Sequence, residues 1–178
     1  MESKAKLKDE AAVRRSMARI THEIIEKNRG AQELCLLGIK RRGIPLANML
    51  ADNIERFEGV RVPVGHIDIS LYRDDLTETR ELPTADGSDI PCDIRDRTVV
   101  LVDDVIYTGR TVRAAIEAVF ACGRPRQIQL AVLIDRGHRE LPLRPDFVGK
   151  NIPTSKNEMI SVAVDEYDGE TGVSLWSL

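Results

Sequence analysis

Apolar residues recur along this chain with two different periods, and the alternation between those periods predicts the order of its elements. In residues 9–28, Val13, Met17, Ile20 and Ile24 fall at helical spacing behind Asp9, a suitable N-cap, and Arg29-Gly30 supplies a stop. Residues 33–39 form a short apolar run of the kind that fills a buried strand. A basic turn follows, Lys40-Arg41-Arg42-Gly43, then a helix with Pro45 in its first turn that runs to about Phe57. Residues 60–72 alternate enough to read as a strand. Residues 73–96 are polar, rich in Asp, Thr and Pro and without period, and so long an aperiodic stretch reads as a functional arm.

The pattern then repeats. Residues 98–102 are a strand, and residues 109–121 are a helix with Ala115, Val119 and Ala121 near its packed face, ended by Cys122-Gly123. Residues 128–134 are another buried strand. Residues 135–157, rich in Pro, Gly and charge, read as a small cap. Strands at 160–165 and 173–176, joined by a turn around Asp168-Gly169, complete the chain. Repeated βαβ units with antiparallel additions predict an α/β fold: a doubly wound, mainly parallel sheet flanked by helices, with ligands beyond the carboxyl ends of its strands. The expected organisation is one domain over residues 1–178, with a flexible arm at 71–97 and the cap at 135–157.

Composition narrows the function. The 178 residues, 42% apolar and 31% charged, suit one globular domain. No apolar run approaches the roughly 20 residues of a membrane span, and the charged N-terminus lacks the apolar segment of a signal peptide. The expected location is the cytoplasm, with no membrane partner. Three cysteines, Cys35, Cys92 and Cys122, stand far apart without histidines at metal-ligand spacing, which indicates neither a disulfide framework nor a zinc site. A net charge of −3 argues against coating nucleic acid non-specifically, so any RNA contact is local.

The most informative string is Val99-Val100-Leu101-Val102-Asp103-Asp104-Val105-Ile106-Tyr107-Thr108-Gly109-Arg110-Thr111. An apolar strand ends in two carboxylates, and a turn with two hydroxyls and a glycine opens a helix whose free N–H groups favour a phosphate. Adjacent carboxylates are natural acceptors for a ribose diol. Neither a G-x-x-x-x-G-K-[ST] loop nor a G-x-G-x-x-G turn competes.

This string resembles the phosphoribosyl pyrophosphate signature of the type I phosphoribosyltransferases. The resemblance implies that Asp103 and Asp104 are catalytic and hold the ribose 2′ and 3′ hydroxyls, while Thr108, Gly109, Arg110 and Thr111 line the 5′-phosphate pocket. It makes Lys40, Arg41, Arg42 and Gly43 the pyrophosphate loop, with a non-proline cis bond at Lys40–Arg41, and places magnesium on the substrate oxygens without a protein side-chain ligand set. It also makes Phe147 a stacking ring for the base, Val148 a backbone reader of the base edge, and Arg136 and His138 neighbours of base or pyrophosphate.

Together with Ser70-Leu71-Tyr72-Arg73-Asp74-Asp75-Leu76, which would be the closing arm through Tyr72, Arg73 and Asp74, the cap resembles that of pyrimidine operon attenuation regulators with uracil phosphoribosyltransferase activity. That likeness implies uracil and phosphoribosyl pyrophosphate as substrates, UMP or UTP as effectors, a leader mRNA hairpin as partner, and a homodimer or homotetramer. Helix one carries a polar-basic face opposite its apolar stripe, with Arg15, Arg19, His22 and Glu26. The resemblance makes Arg15, Arg19, His22, Arg139, Arg144 and Lys150 the RNA contacts; where the resembled proteins have a hydroxyl residue, position 18 is Ala18. Two alternatives stay open: an RNA-binding nucleotide sensor with little catalysis, and a purine-salvage enzyme. Against the latter, the segment upstream of the cap holds Leu130 and Ala131 and no lysine to read a purine oxygen.

Overall fold

The computed structural model describes residues 2–70 and 87–178. In chain order the elements are β1 (Glu2–Lys8), α1 (Glu10–Lys27), β2 (Leu34–Ile39), α2 (Gly43–Glu58), β3 (Val64–Ile67), β4 (Thr98–Ile106), α3 (Arg110–Cys122), β5 (Gln127–Asp135), β6 (Phe147–Asn151), β7 (Glu158–Ala163), α4 (Asp165–Asp168) and β8 (Gly172–Ser177). Five strands form a parallel sheet in the order β3-β2-β4-β5-β6, and β1-β8-β7 form a small antiparallel sheet.

The doubly wound sheet follows from strands that are apolar on both faces. All six residues of β2 are buried. Leu34, Leu36, Val100, Val102, Ala131 and Leu133 face α1 and α2, while Cys35, Leu37, Val99, Leu101 and Val132 face α3. The predicted stripe Val13, Met17, Ile20 and Ile24 is buried on the first side, and Asp9 caps α1 by accepting from the Ala12 N–H at 2.8 Å. On α3, Ala115 and Val119 are buried as expected, but Ala121 is exposed; Val112, Ala114 and Ala118 complete the packed face. Among the described residues no helix is long and apolar enough to cross a membrane.

Four boundaries differ from the sequence expectation, each because a neighbour decides a strand. β4 continues four residues beyond Val102, since Asp103, Val105 and Ile106 pair with Val132, Ile134 and Asp135 of β5. β3 is confined to the residues that pair with Leu36–Ile39 of β2. β6, inside the expected cap, joins the main sheet beside β5. β1, with Ser3 to Lys6 exposed, has no apolar period to betray it; its ladder with β8 and the Lys4–Glu158 ion pair at 2.9 Å hold it.

Candidate active site

The loops after β4, β2 and β5 meet at the carboxyl end of the parallel sheet, where this topology places ligands. Asp103 and Asp104 stand inside β4 near its end. Asp103 is 7% exposed, and burial followed by the adjacent Asp104 pushes its carboxyl well above the usual range. Asp104 is half-buried and accepts from the Val105 N–H at 2.8 Å. The chain then turns through exposed Tyr107 and through Thr108, whose hydroxyl accepts from the Arg110 N–H at 3.3 Å. Gly109, at φ 95, caps α3 without a side-chain cap. Apart from the Arg110 N–H, which Thr108 accepts, the glycine cap offers the first turn of α3 no side-chain acceptor, and such a helix end is suited to an anion.

The β2–α2 corner supplies the opposite charge. Its Lys40–Arg41 peptide is cis, at the expected position. Gly43 is required by close approach, because an added Cβ would lie 2.3 Å from the Val102 carbonyl oxygen. Each cation has a partner from elsewhere in the chain. Lys40 pairs with Asp68 at 3.1 Å, Arg41 lies 4.1 Å over the Tyr167 ring, and Arg42 grips Asp168 at 2.9 and 3.3 Å while also feeling the Asp104 carboxylate. Hydrogen bonds from Ser70, then the Lys40 ammonium, hold Asp68 down at about 2. The Val164 N–H and then Arg42 lower Asp168. Asp68, Tyr167 and Asp168 were not anticipated as site residues; only the turn at Asp168-Gly169 was legible, and nothing local marks its partner.

The cap residues are placed differently from expectation. Phe147 is 3% exposed and packs in the core beneath α1, so its ring is not an open stacking face. The next residue alternates: Val148 packs toward α3's side of the sheet and lines a cavity of about 370 Å³ with Asp135, Gly137, Arg139, Arg144, Pro145, Asn151 and Pro153. Arg136 is buried, bonded to Thr154 at 3.0 Å and the Glu158 carbonyl at 2.7 Å, with its guanidinium 4.0 Å from the Tyr107 ring centre. His138 meets Thr154 through its ring nitrogen and Tyr107 edge-on at 5.6 Å. Arg139 does not reach toward helix one. Its three nitrogens bond Asp135 at 2.6 Å, the Tyr107 carbonyl at 2.8 Å and the Leu143 carbonyl at 2.9 Å, locking the cap onto the turn that precedes α3. Arg110 reinforces that lock through Glu140 at 2.6 Å.

On α1, Arg15, Arg19 and His22 are exposed along one face, as expected, with Lys150 exposed at the neighbouring β6 edge. His22 stacks on Phe57 at 4.3 Å. Arg144 is exposed at the cavity rim. The expected arm residues Tyr72, Arg73 and Asp74 lie outside the described residues. Among the described residues no cluster of acids, histidines and cysteines is large enough to hold a metal by itself.

The site so assembled joins a carboxylate pair, a helix end suited to an anion and a cationic corner. The family model described as phosphoribosyl transferase domain matches residues 3–167. Among solved structures, hypoxanthine phosphoribosyltransferase from Trypanosoma cruzi superposes with a TM-score of 0.75 at 22% identity, over 97% of this chain and 95% of that one. A hypoxanthine-guanine phosphoribosyltransferase from Bacillus anthracis gives 0.73 at 20% identity, with both chains fully covered. These share the fold. The bifunctional protein PyrR of Clostridium botulinum (strain Alaska E43) is 58% identical, covering 99% of this chain and 98% of its own; that of Acetivibrio thermocellus is 57% identical, covering 98% and 95%. The chain belongs to the phosphoribosyltransferase family, among the bifunctional PyrR proteins.

Proposed function

We propose that this chain transfers the phosphoribosyl group of phosphoribosyl pyrophosphate to uracil, giving UMP and pyrophosphate. We further propose that, with UMP or UTP bound in the same site, it binds a hairpin in the leader mRNA of a pyrimidine operon and promotes transcription termination. The observation that carries the transferase reading is the β4–α3 junction: Asp103 and Asp104 lead into a Gly109-capped helix end, with Arg42 of the basic corner in electrostatic reach of Asp104.

In that reading the first turn of α3 receives the 5′-phosphate, the acidic pair accepts the ribose hydroxyls, and the cations receive the leaving pyrophosphate. The bond from ribose C1 to the pyrophosphate oxygen breaks as the bond to uracil N1 forms, through an oxocarbenium-like state that needs no protein nucleophile, and the N1 proton is released to solvent. Magnesium, carried mainly by the substrate's own oxygens beside the Asp103 and Asp104 carboxylates, would supply Lewis-acid assistance to the departing pyrophosphate. Val148, lining the cap cavity, is the base reader, and Tyr72, Arg73 and Asp74 belong to the closing arm. Arg15, Arg19, His22, Lys150 and Arg144 form the RNA face. The protein acts in the cytoplasm as a homodimer or homotetramer, which would bring two such faces together.

The test is nucleotide formation from phosphoribosyl pyrophosphate with uracil, hypoxanthine and orotate, with and without magnesium. Magnesium-dependent turnover with uracil alone supports the reading. Turnover with hypoxanthine instead makes this a purine enzyme, and no turnover with any base makes the pocket a sensor.

A further inference from the structure

One side chain touches both the base-side cavity wall and the basic face of α1. The guanidinium of Arg19 donates through Nη2 to the Val148 carbonyl at 3.2 Å and to the Gly149 carbonyl, while Nη1 holds Glu23 at 2.8 Å. Val148 presents its side chain to the cavity, so the peptide that Arg19 grips begins at a residue of the cavity wall. β6 is the edge strand of the main sheet, and its inner side is closed: an added Cβ on Gly149 would lie 2.3 Å from the Leu133 carbonyl oxygen. A displacement of this peptide toward β5 is therefore blocked by backbone, and the side left to accommodate it is the one occupied by Arg19.

The outer end of the same guanidinium stands among cations. Burial first, and then Lys150, Arg19 and Arg15, lower the nearby Lys8 ammonium, with Asp9 acting the other way. Lys8 is steadied by Ser16 at 2.8 Å, and none of Lys8, Arg15 and Lys150 forms an ion pair among the described residues. Glu23 on Arg19 and Asp9 beside Lys8 offset part of this charge, and the excess of cations that remains is suited to the phosphates of a polyanion.

We propose that Arg19 is the positioning residue that couples occupancy of the base pocket to RNA binding: a base held at Val148 sets the β6 peptide, the peptide sets the guanidinium, and the guanidinium sets the cation cluster. This rests on the transferase and regulator reading above and deepens it. Lysine keeps the charge but cannot grip two carbonyls and a carboxylate with a planar fork, so Arg19→Lys separates coupling from charge. By linkage, whatever factor UMP contributes to RNA affinity, RNA contributes to UMP affinity.

The experiment measures UMP affinity by calorimetry, and affinity for a transcript of the protein's own operon leader with and without UMP, for the wild type, Arg19→Lys and Arg14→Gln. Arg14 is on the same helix but closed on Glu10 at 2.7 Å, away from β6. The expected result is that UMP tightens wild-type RNA binding by about fivefold or more, that Arg14→Gln keeps this ratio, and that Arg19→Lys brings it close to one while weakening UMP binding. A wild-type ratio retained by Arg19→Lys, with unchanged UMP affinity, overturns the coupling alone. A wild type that binds the transcript no better with UMP than without it overturns the regulatory reading and the coupling together.

Discussion

The two strand-to-helix junctions at the active end are built by opposite means. The β4–α3 junction is local: its carboxylates, its hydroxyls and its glycine lie within nine consecutive residues, from Asp103 to Thr111, and its helix cap needs no outside group. The β2–α2 junction is assembled. Its three cations are held by Asp68 after β3 and by Tyr167 and Asp168 from the far end of the chain. The glycines differ in the same sense. Gly109 is needed for its backbone angle, with the nearest atom to an added Cβ at 3.5 Å, whereas Gly43 is needed because β4 is pressed against it. A phosphate turn can be carried in a short string, but a cluster of like charges has to be restrained by partners from elsewhere, since the cations repel one another and lose side-chain freedom when fixed.

Breaking the local junction has the largest expected effect. Asp104→Asn removes the half-buried carboxylate proposed to accept the ribose hydroxyls and should lower kcat/KM for UMP formation by about 100-fold or more, with unfolding by urea little changed. Undiminished turnover would remove Asp104 from the site. Gly43→Ala breaks the assembled junction by steric conflict with Val102, and roughly 2 kcal/mol of stability should be lost in urea denaturation. Gly109→Ala, strained in angle but not crowded, should lose about 1 kcal/mol in the same assay. Equal losses would erase the distinction between the two glycines.

Arg42→Ala leaves Asp168 without its fork and removes a cation proposed to receive the leaving pyrophosphate. The KM for phosphoribosyl pyrophosphate should rise roughly tenfold. Stability should fall by only about 0.5 kcal/mol, because both side chains of the pair are partly in solvent.

The pH dependence separates the junctions by sign. Asp103 has a folded value above its unfolded one, so its contribution to stability is present below the ordinary aspartate range and is lost as pH rises through the raised folded value. Asp168 has a lowered folded value, so its contribution is present above the ordinary range and is lost as pH falls through the lowered one. Urea unfolding across that range should show Asp103→Asn gaining on the wild type as pH rises, and Asp168→Asn losing to it. Parallel profiles would show that the two carboxyls share one environment.

The cap illustrates how far residue type alone carries a site assignment. Phe147 and Val148 are both apolar and adjacent, and their strand alternation is invisible until β6 is known to pair with β5. That pairing buries the Phe147 ring under α1 and turns Val148 toward the cavity. Arg139 and Arg144 look interchangeable in the chain, yet one is consumed by Asp135 and two carbonyls while the other stays at the rim.

What the sequence by itself determined is everything whose cause is short-ranged or periodic: the α1 stripe, the apolar central strands, the order of βαβ units and the acidic pair ahead of a glycine-capped helix. Tertiary structure alone decided the pairing of β1 with β8, the extension of β4 past its carboxylates, the partners that hold Lys40, Arg41 and Arg42, and the grip of Arg19 on β6. The physical reason is the same in each case. A helix face or a turn is stabilised by residues a few positions apart, whereas an edge ladder, a clustered charge or a capped carbonyl takes its stability from atoms that only the folded chain brings within reach.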